Sequence, residues 1–283
     1  MIVDAHAHLT VDDPRYPVAP LRGTLDPDVL DDPMTAERLL SMMDDLGVSH
    51  AVAVQRAHIF GYDNSYVLDS ARRLRPRLAP VCMLDADRPD AAEVAAKLAD
   101  AGAVAMRFTA GAGTPTGGPP GTAWFAGEHA ARVWARAAEL GVSLCLHMYR
   151  WNRAESLATL GDMMRRFPDV DVVVDHVGSI GVDRPPAFAG TEDLLRLADL
   201  SRLHVKVTTL NAMQVRRWGG DPAALVEWLV ARFGAGRVLW GSDITQTRLP
   251  YPDMVETARA SVRTLPPHEA DAVLRETALS LYF

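Results

Sequence analysis

Eight short runs of strand-forming residues recur along the chain, beginning near Ile2, Ala51, Ala79, Ala103, Val142, Asp171, His204 and Arg237, with helical patterns between them. Strands alternating with helices in this number are the arithmetic of a closed parallel barrel whose helices cover its outer face. The helical stretches carry apolar residues at helical spacing, as in Val94, Ala95, Leu98 and Ala99, or Leu157, Leu160, Met164 and Phe167. Each set buries one stripe. Gly47, Gly102 and Gly141 each follow a helical pattern with a strand close behind, the place of a left-handed C-cap. A doubly wound open sheet competes, but it needs fewer strands and usually a glycine-rich first turn, whereas the turn after His8 reads L-T-V-D-D-P. The sequence therefore predicts an α/β fold, a (β/α)8 TIM barrel forming a single domain over residues 1–283.

Two connections are too long for simple turns. Leu9 to Pro33 is rich in Asp and Pro, and Thr109 to Gly127 is rich in Gly, Pro and Thr. Both follow strands, so both are expected over the C-terminal mouth, the second as a mobile lid.

Several residues that suit a metal fall at strand ends. His6 and His8 alternate along the first run and project from one face. The runs Val142 to His147 and Val172 to His176 finish on histidine, and Val238 to Asp243 finishes on a carboxylate. All strand ends of a closed barrel open on one mouth, so these five residues meet there. His6, His8, His147 and Asp243 suit a zinc-type or manganese-type catalytic site with room for water. His176 is then a further ligand or an acid/base, and Asp243 both touches the metal and accepts a proton. His50, His58, His129 and His268 lack this placement and are expected in solvent; His204 starts its strand and belongs at the opposite rim.

Cations occupy other strand ends: Arg56, Arg107, Arg150 and Lys206, with Arg248 beyond Asp243. Guanidinium groups around a metal suit a substrate carboxylate, which Arg grips through two parallel hydrogen bonds. Tyr149, Trp151 and Trp124 are candidate aromatic walls. The charge balance, 29 Lys+Arg against 36 Asp+Glu, argues against a general nucleic-acid or membrane surface. Cys82 and Cys145 lie inside apolar strand-like segments and read as buried thiols, not as a disulfide framework. With neither a basic leader nor an 18-residue apolar stretch, the expected location is cytoplasmic.

Taken together, D-A-H-A-H, L-C-L-H, V-V-D-H-V-G, V-K-V-T, W-G-S-D and the final R-E-T-A-L-S-L-Y-F resemble the metal-dependent amidohydrolase superfamily, in its branch of small barrels that holds lactonases and decarboxylases. The resemblance covers essentially the whole chain. It implies that His6, His8, His147 and Asp243 are metal ligands and His176 the catalytic histidine of the sixth strand. The position of the carboxylated lysine of two-metal members is filled by Arg107, so one divalent metal is implied, zinc with manganese as the alternative. D-H-V-G and V-K-V look more like the lactonases of 2-pyrone-4,6-dicarboxylate and of sugar acids. His147 looks more like decarboxylases such as that of aminocarboxymuconate semialdehyde. After W-G-S-D this chain departs from the common pattern with I-T-Q-T-R-L-P-Y.

The leading expectation is hydrolysis, by activated water, of a lactone or related cyclic ester or amide bearing a carboxylate. Non-oxidative decarboxylation of an aromatic or enoic acid is the first alternative, and a barrel that binds a small anion without turnover the second. The expected partner is a small anionic organic substrate, and pairing as a homodimer is compatible with the fold.

Overall fold

Runs of Val, Ala, Ile and Leu without a polar break can be buried on both faces, as parallel barrel strands must be. In the computed structural model, which describes residues 1–21, 25, 28–110, 121–182, 188 and 191–283, these runs form β1 (Ile2–Ala7), β2 (Val48–Val54), β3 (Leu78–Met83), β4 (Ala105–Thr109), β5 (Ser143–His147), β6 (Val172–Val174), β7 (Leu203–Thr208) and β8 (Val238–Gly241). Each pairs in parallel with the next, in sequential order. The doubly wound alternative is thereby excluded. The largest offset from expectation is at β2, which begins at Val48, so His50 lies inside the strand and packs half-buried against Phe283.

Val3, Ala5, Val52, Val54, Val81 and Leu239 are among the side chains that fill the barrel, and Ala278 and Tyr282 of the last helix close its lower end. The alternate residues, such as Phe108, Leu144 and Val174, face the helices. Gly47 and Gly141 take left-handed C-caps at φ 70 and 66. Gly102 also has positive φ, 106, but sits one residue past its helix cap, Ala101. Cys82 and Cys145 are buried and unpaired. Among the described residues no helix is long and apolar enough to cross a membrane.

The base of the first long connection is pinned where Thr10 N donates to Met34 O at 2.9 Å and Met34 N to Thr10 Oγ1 at 2.8 Å. The expected lid lies mostly outside the described residues, which resume at Gly121; past it, Ala123–Ala126 forms a helical turn that buries Trp124 against Phe125. Trp124 is therefore packing, not a wall of the mouth.

The barrel closes where β8 meets β1. Asp243 N donates to His6 O at 2.8 Å, and Ser242 N to the buried Asp4 carboxylate at 2.8 Å. Gly241 makes this approach feasible: a Cβ there would stand 2.3 Å from the Cβ of His6 and 2.8 Å from its backbone nitrogen. Gly241→Ala should therefore cost about 1–3 kcal/mol. Gly236→Ala, whose added carbon meets nothing within 4 Å, should change stability by less than about 0.5 kcal/mol. Urea unfolding of the two variants checks both.

His204 lies at the rim opposite the mouth, as expected, with its Nε2 3.2 Å from Asp171, which also takes Arg202 at 2.8 Å. The hydrogen bond from His204, helped by Arg202, holds the Asp171 carboxyl below its ordinary range. A carboxyl depressed in the folded state stabilises above its unfolded pKa, and that contribution is lost as pH falls through the folded value. At this partly exposed site Asp171→Asn should cost about 0.2–1 kcal/mol at neutral pH. The difference should vanish in strong acid, as pH-dependent unfolding would reveal.

Candidate active site

β1 ends by placing His6 and His8 on one face, with their Nε2 atoms 3.3 Å apart. His8 Nδ1 donates to the carbonyl of Val54 at the end of β2, 2.8 Å away. A neutral imidazole that donates from one nitrogen keeps a lone pair on the other, so His8 Nε2 is a ligand or an acceptor. His6 Nδ1 lies 3.4 Å from Asp175 Oδ1 and 3.2 Å from Lys206 Nζ. Lys206 has only protons to offer this nitrogen and Asp175 only acceptors, so the His6 Nε2 lone pair is free for a cation in the tautomer whose Nδ1 proton goes to Asp175. Burial lowers the pKa of both rings.

Asp243 reaches the same point from β8. Its Oδ2 accepts from Thr247 Oγ1 at 2.8 Å. Its Oδ1 is buried without a hydrogen bond, 3.5 Å from His8 Nε2 and 3.7 Å from His6 Nε2. An unpartnered buried carboxylate oxygen is costly. Two ligand atoms on one tetrahedral zinc ion lie about 3.3 Å apart. The three groups therefore fit a divalent cation, and an ion there removes the penalty on Oδ1. Burial favours the neutral acid, but the imidazoles of His176, His8 and His6 outweigh it and hold Asp243 below the ordinary carboxylate range.

β6 stops after three residues, and His176, Val177, Gly178 and Ser179 then form a left-handed turn, with φ of 51, 55, 59 and 54. For residues with a Cβ this costs about 1–2 kcal/mol each. The turn aims His176 and Ser179 into the mouth. His176 Nδ1 meets Thr208 Oγ1 at 2.9 Å, and Thr208 Oγ1 donates to Asn211 Oδ1 at 3.1 Å. Two oxygens at that separation need the hydroxyl proton between them, so His176 Nδ1 is the donor to Thr208. His176 Nε2 thus presents a lone pair, within ligand reach of His6 and Asp243.

His8, His176 and Asp243 sit at the floor of a cavity of about 570 Å³, whose walls include Arg56, Tyr149, Arg150, Asn211 and Gln246. Arg56 is 8 % exposed, hydrogen-bonds Gln246 Oε1 and leaves its Nε without a partner. Burial lowers its pKa to about 10, so it stays charged. Among the described residues no carboxylate pairs with it. Tyr149 stacks on His147 at 4.8 Å, and Trp151 continues the stack to the rim.

The structure assembles His6, His8, His176 and Asp243, but it sets His147 apart from that point, beside Arg107 and His176. Two expected substrate contacts require correction. Lys206 is wholly buried inside the barrel, 3.0 Å from Asp175 Oδ1, because alternation along β7 turns it inward below the mouth. Arg248 is exposed and outside the cavity lining, since the turn after Asp243 carries Gln246 to the mouth instead. Arg107 reaches the wall with its charge already committed to Asp175, at 2.8 Å. His58 is exposed, as expected, and stands at the outer wall of the cavity, in the helical turn Ala57–Phe60 that follows β2. His129 is only half-buried and His268 exposed. Reading residue types at strand ends missed Asn211, Gln246 and the structural weight of Asp175; the signal for Asp175 was a carboxylate inside V-V-V-D-H.

Residues 3–283 match the amidohydrolase family, Amidohydro_2. This chain belongs to that family. The family is metal-dependent, and His6, His176 and Asp243 offer ligand atoms within 4.8 Å of one another. Among solved structures, this amidohydrolase is similar to a Pseudomonas putida protein assigned as a 2-pyrone-4,6-dicarboxylic acid hydrolase, at 24% identity and TM-score 0.70 over 99% of this chain and 96% of the other. It is similar to a zinc-bound amidohydrolase of Burkholderia multivorans at 18% and 0.72, over 100% and 99%. The 2,6-dihydroxybenzoate decarboxylase of Rhizobium matches at 13% and 0.68, over 99% and 98%. At these identities the likeness is one of fold. No curated protein matches the chain by sequence at significance.

Thr208 also caps the helix Thr209–Arg217 through its hydroxyl. Thr208→Val should therefore strip both the cap and the His176 partner and destabilise by about 1–3 kcal/mol. Thr208→Ser, which keeps the hydroxyl, should stay within about 0.5 kcal/mol, and denaturant titration separates them.

Proposed function

We propose that this amidohydrolase opens a lactone, or a related cyclic ester or amide, that carries a carboxylate, with His6, His8 and Asp243 holding one divalent metal, zinc in the first instance. The observation that carries this reading is Asp243 Oδ1, a buried carboxylate oxygen with no hydrogen bond that faces two imidazole nitrogens. A divalent ion in that position polarises a carbonyl oxygen and acidifies a water. Asp243, held in its ionised form, accepts the water's proton. His176, with its lone pair toward the mouth and its Nδ1 tied to Thr208, either completes the ligand set or carries that proton to the leaving alcohol.

Arg56 supports the anionic substrate. Arg56 feels the Asp243 charge but is in no ion pair among the described residues, and it opens on the cavity, where an anion would complete it. It would grip the substrate carboxylate through its fork. Arg150 and Tyr149 stand on the same walls. A cavity of about 570 Å³ suits a single ring with its carboxylates. The two unpaired buried thiols suit the reducing cytoplasm.

The test is a panel of ring-bearing acids assayed in parallel for ring opening and for released carbon dioxide, with metal counted by mass spectrometry. Hydrolysis requires a ring-opened acid without carbon dioxide; carbon dioxide as the product would replace this reading with decarboxylation. Binding across the panel without turnover would leave a non-catalytic anion-binding barrel. Asp243→Asn should lower kcat about 10²–10⁴-fold. Arg56→Gln should raise KM about 10–100-fold, as loss of a charge-assisted hydrogen bond does, and much less for a substrate analogue lacking the carboxylate.

A further inference from the structure

A buried guanidinium needs acceptors for its N–H groups and an anion for its charge, and the two needs can be met separately. Three cations are buried among the described residues: Arg56, Arg107 and Lys206. Arg107 and Lys206 share Asp175, at 2.8 and 3.0 Å. Arg56 instead has two uncharged acceptors from the turn after β8. Its Nη1 donates to Gln246 Oε1, and its Nη2 lies 3.5 Å from the carbonyl oxygen of Thr245. An arginine only donates, so the Gln246 carboxamide must turn its oxygen to the guanidinium and its amide nitrogen away. Among the described residues that nitrogen has no partner, and Gln246 and Arg56 line the same cavity. We propose that Gln246 is the specificity-determining residue of a carboxylate subsite: it holds Arg56 through a neutral oxygen, which reserves the positive charge for the substrate, and offers its own N–H to the same carboxylate. The proposal rests on the reading of Arg56 as the group that grips the substrate's anion.

The turn that carries Gln246 is the one that carries Asp243. Gln246 N and Thr247 N both donate to Asp243 O, at 3.2 and 2.8 Å, and Thr247 Oγ1 donates to Asp243 Oδ2 at 2.8 Å. Asp243 and Thr245 take left-handed φ of 58 and 70, so the chain doubles back within five residues. Ile244 bridges to Ala7 at the end of β1 and to Thr247. The anion subsite is thereby fixed to the reacting end of the cavity. This is also the segment I-T-Q-T-R-L-P-Y, whose sequence is peculiar to this chain within the pattern described above. A glutamate at position 246 has the same reach as glutamine, but it would meet Arg56 as an internal counter-ion, and an incoming carboxylate would then face a fixed negative charge. Glutamine secures the guanidinium without cancelling it. Arg56 and the Gln246 amide both donate, so the group seated between them should accept with both of its oxygens. A carboxylate does so; a carboxamide turns its own NH₂ against one of the donors, and a site built of donors rejects it.

The test is the ratio of affinities for benzoate and benzamide, measured by NMR titration of zinc-loaded protein, which needs no knowledge of the true substrate. The parent protein should prefer benzoate by about tenfold or more. Gln246→Glu should cut that preference about 10–100-fold, as loss of a charge-assisted hydrogen bond does. Gln246→Met, which keeps the length but neither the acceptor nor the N–H, should cut it about 2–10-fold. Gln246 is exposed, so both variants should fold, and their zinc content should match the parent's. A parent that binds the two probes alike, or a Gln246→Glu variant with the parent's preference, would overturn the proposal. Arg56→Gln separates the two layers of the argument. If it abolishes the preference while Gln246→Glu keeps it, the role of Gln246 alone falls; if it too keeps the preference, Arg56 is not the anion grip and both readings fall.

Discussion

The seam between the last strand and the first is the contact on which this molecule depends. A parallel barrel has no edge only if β8 reaches β1, and here the reach is made by backbone groups at the very residues that form the mouth. Asp243 N bonds His6 O, and Ser242 N bonds the Asp4 carboxylate, which also takes the Tyr251 hydroxyl. Closing the barrel and bringing the Asp243 carboxylate to His6 and His8 are therefore one event. The glycine of W-G-S-D is needed because any side chain there would collide with His6.

Beneath the mouth lies a second constraint, a group of charges sealed inside the barrel. Asp175 and Lys206 have no exposed surface, and Arg107 almost none. Burying an ion pair costs several kcal/mol per ion in desolvation, and such pairs persist where other hydrogen bonds complete them. Here each member does more than neutralise its partner. Asp175 touches the Nδ1 side of His6, and Arg107 touches the Nδ1 side of His147. The charges thus act on the imidazoles from behind, which is why two cations that look like substrate contacts in sequence serve the architecture instead.

Backbone strain gathers at the same place. His176 and Asp243 both adopt left-handed conformations, and Val177, β-branched, shares the turn with His176. Such conformations persist where the surroundings over-determine them, commonly at functional sites. Here Thr208 and Asn211 hold the His176 turn through side-chain and main-chain bonds. Asp243 is held by the seam itself.

The number and order of the strands were legible in the sequence because each is a short apolar run set apart by helical periodicity, and those patterns are local. So were His6, His8, His176 and Asp243 as strand-end residues, since alternation along a strand fixes the face of a side chain once its direction is known. What a side chain meets there is not local. Lys206 reads like a mouth residue, yet its alternation phase, together with the position of Asp175 across the barrel, sends it into the core. The tautomer of His176 depends on Thr208, which stands on another strand. The amino-acid order determined the barrel and its shortlist of polar groups; only the tertiary structure decided which of them share one point, because hydrogen bonds and charges act over a few ångströms of space regardless of distance along the chain.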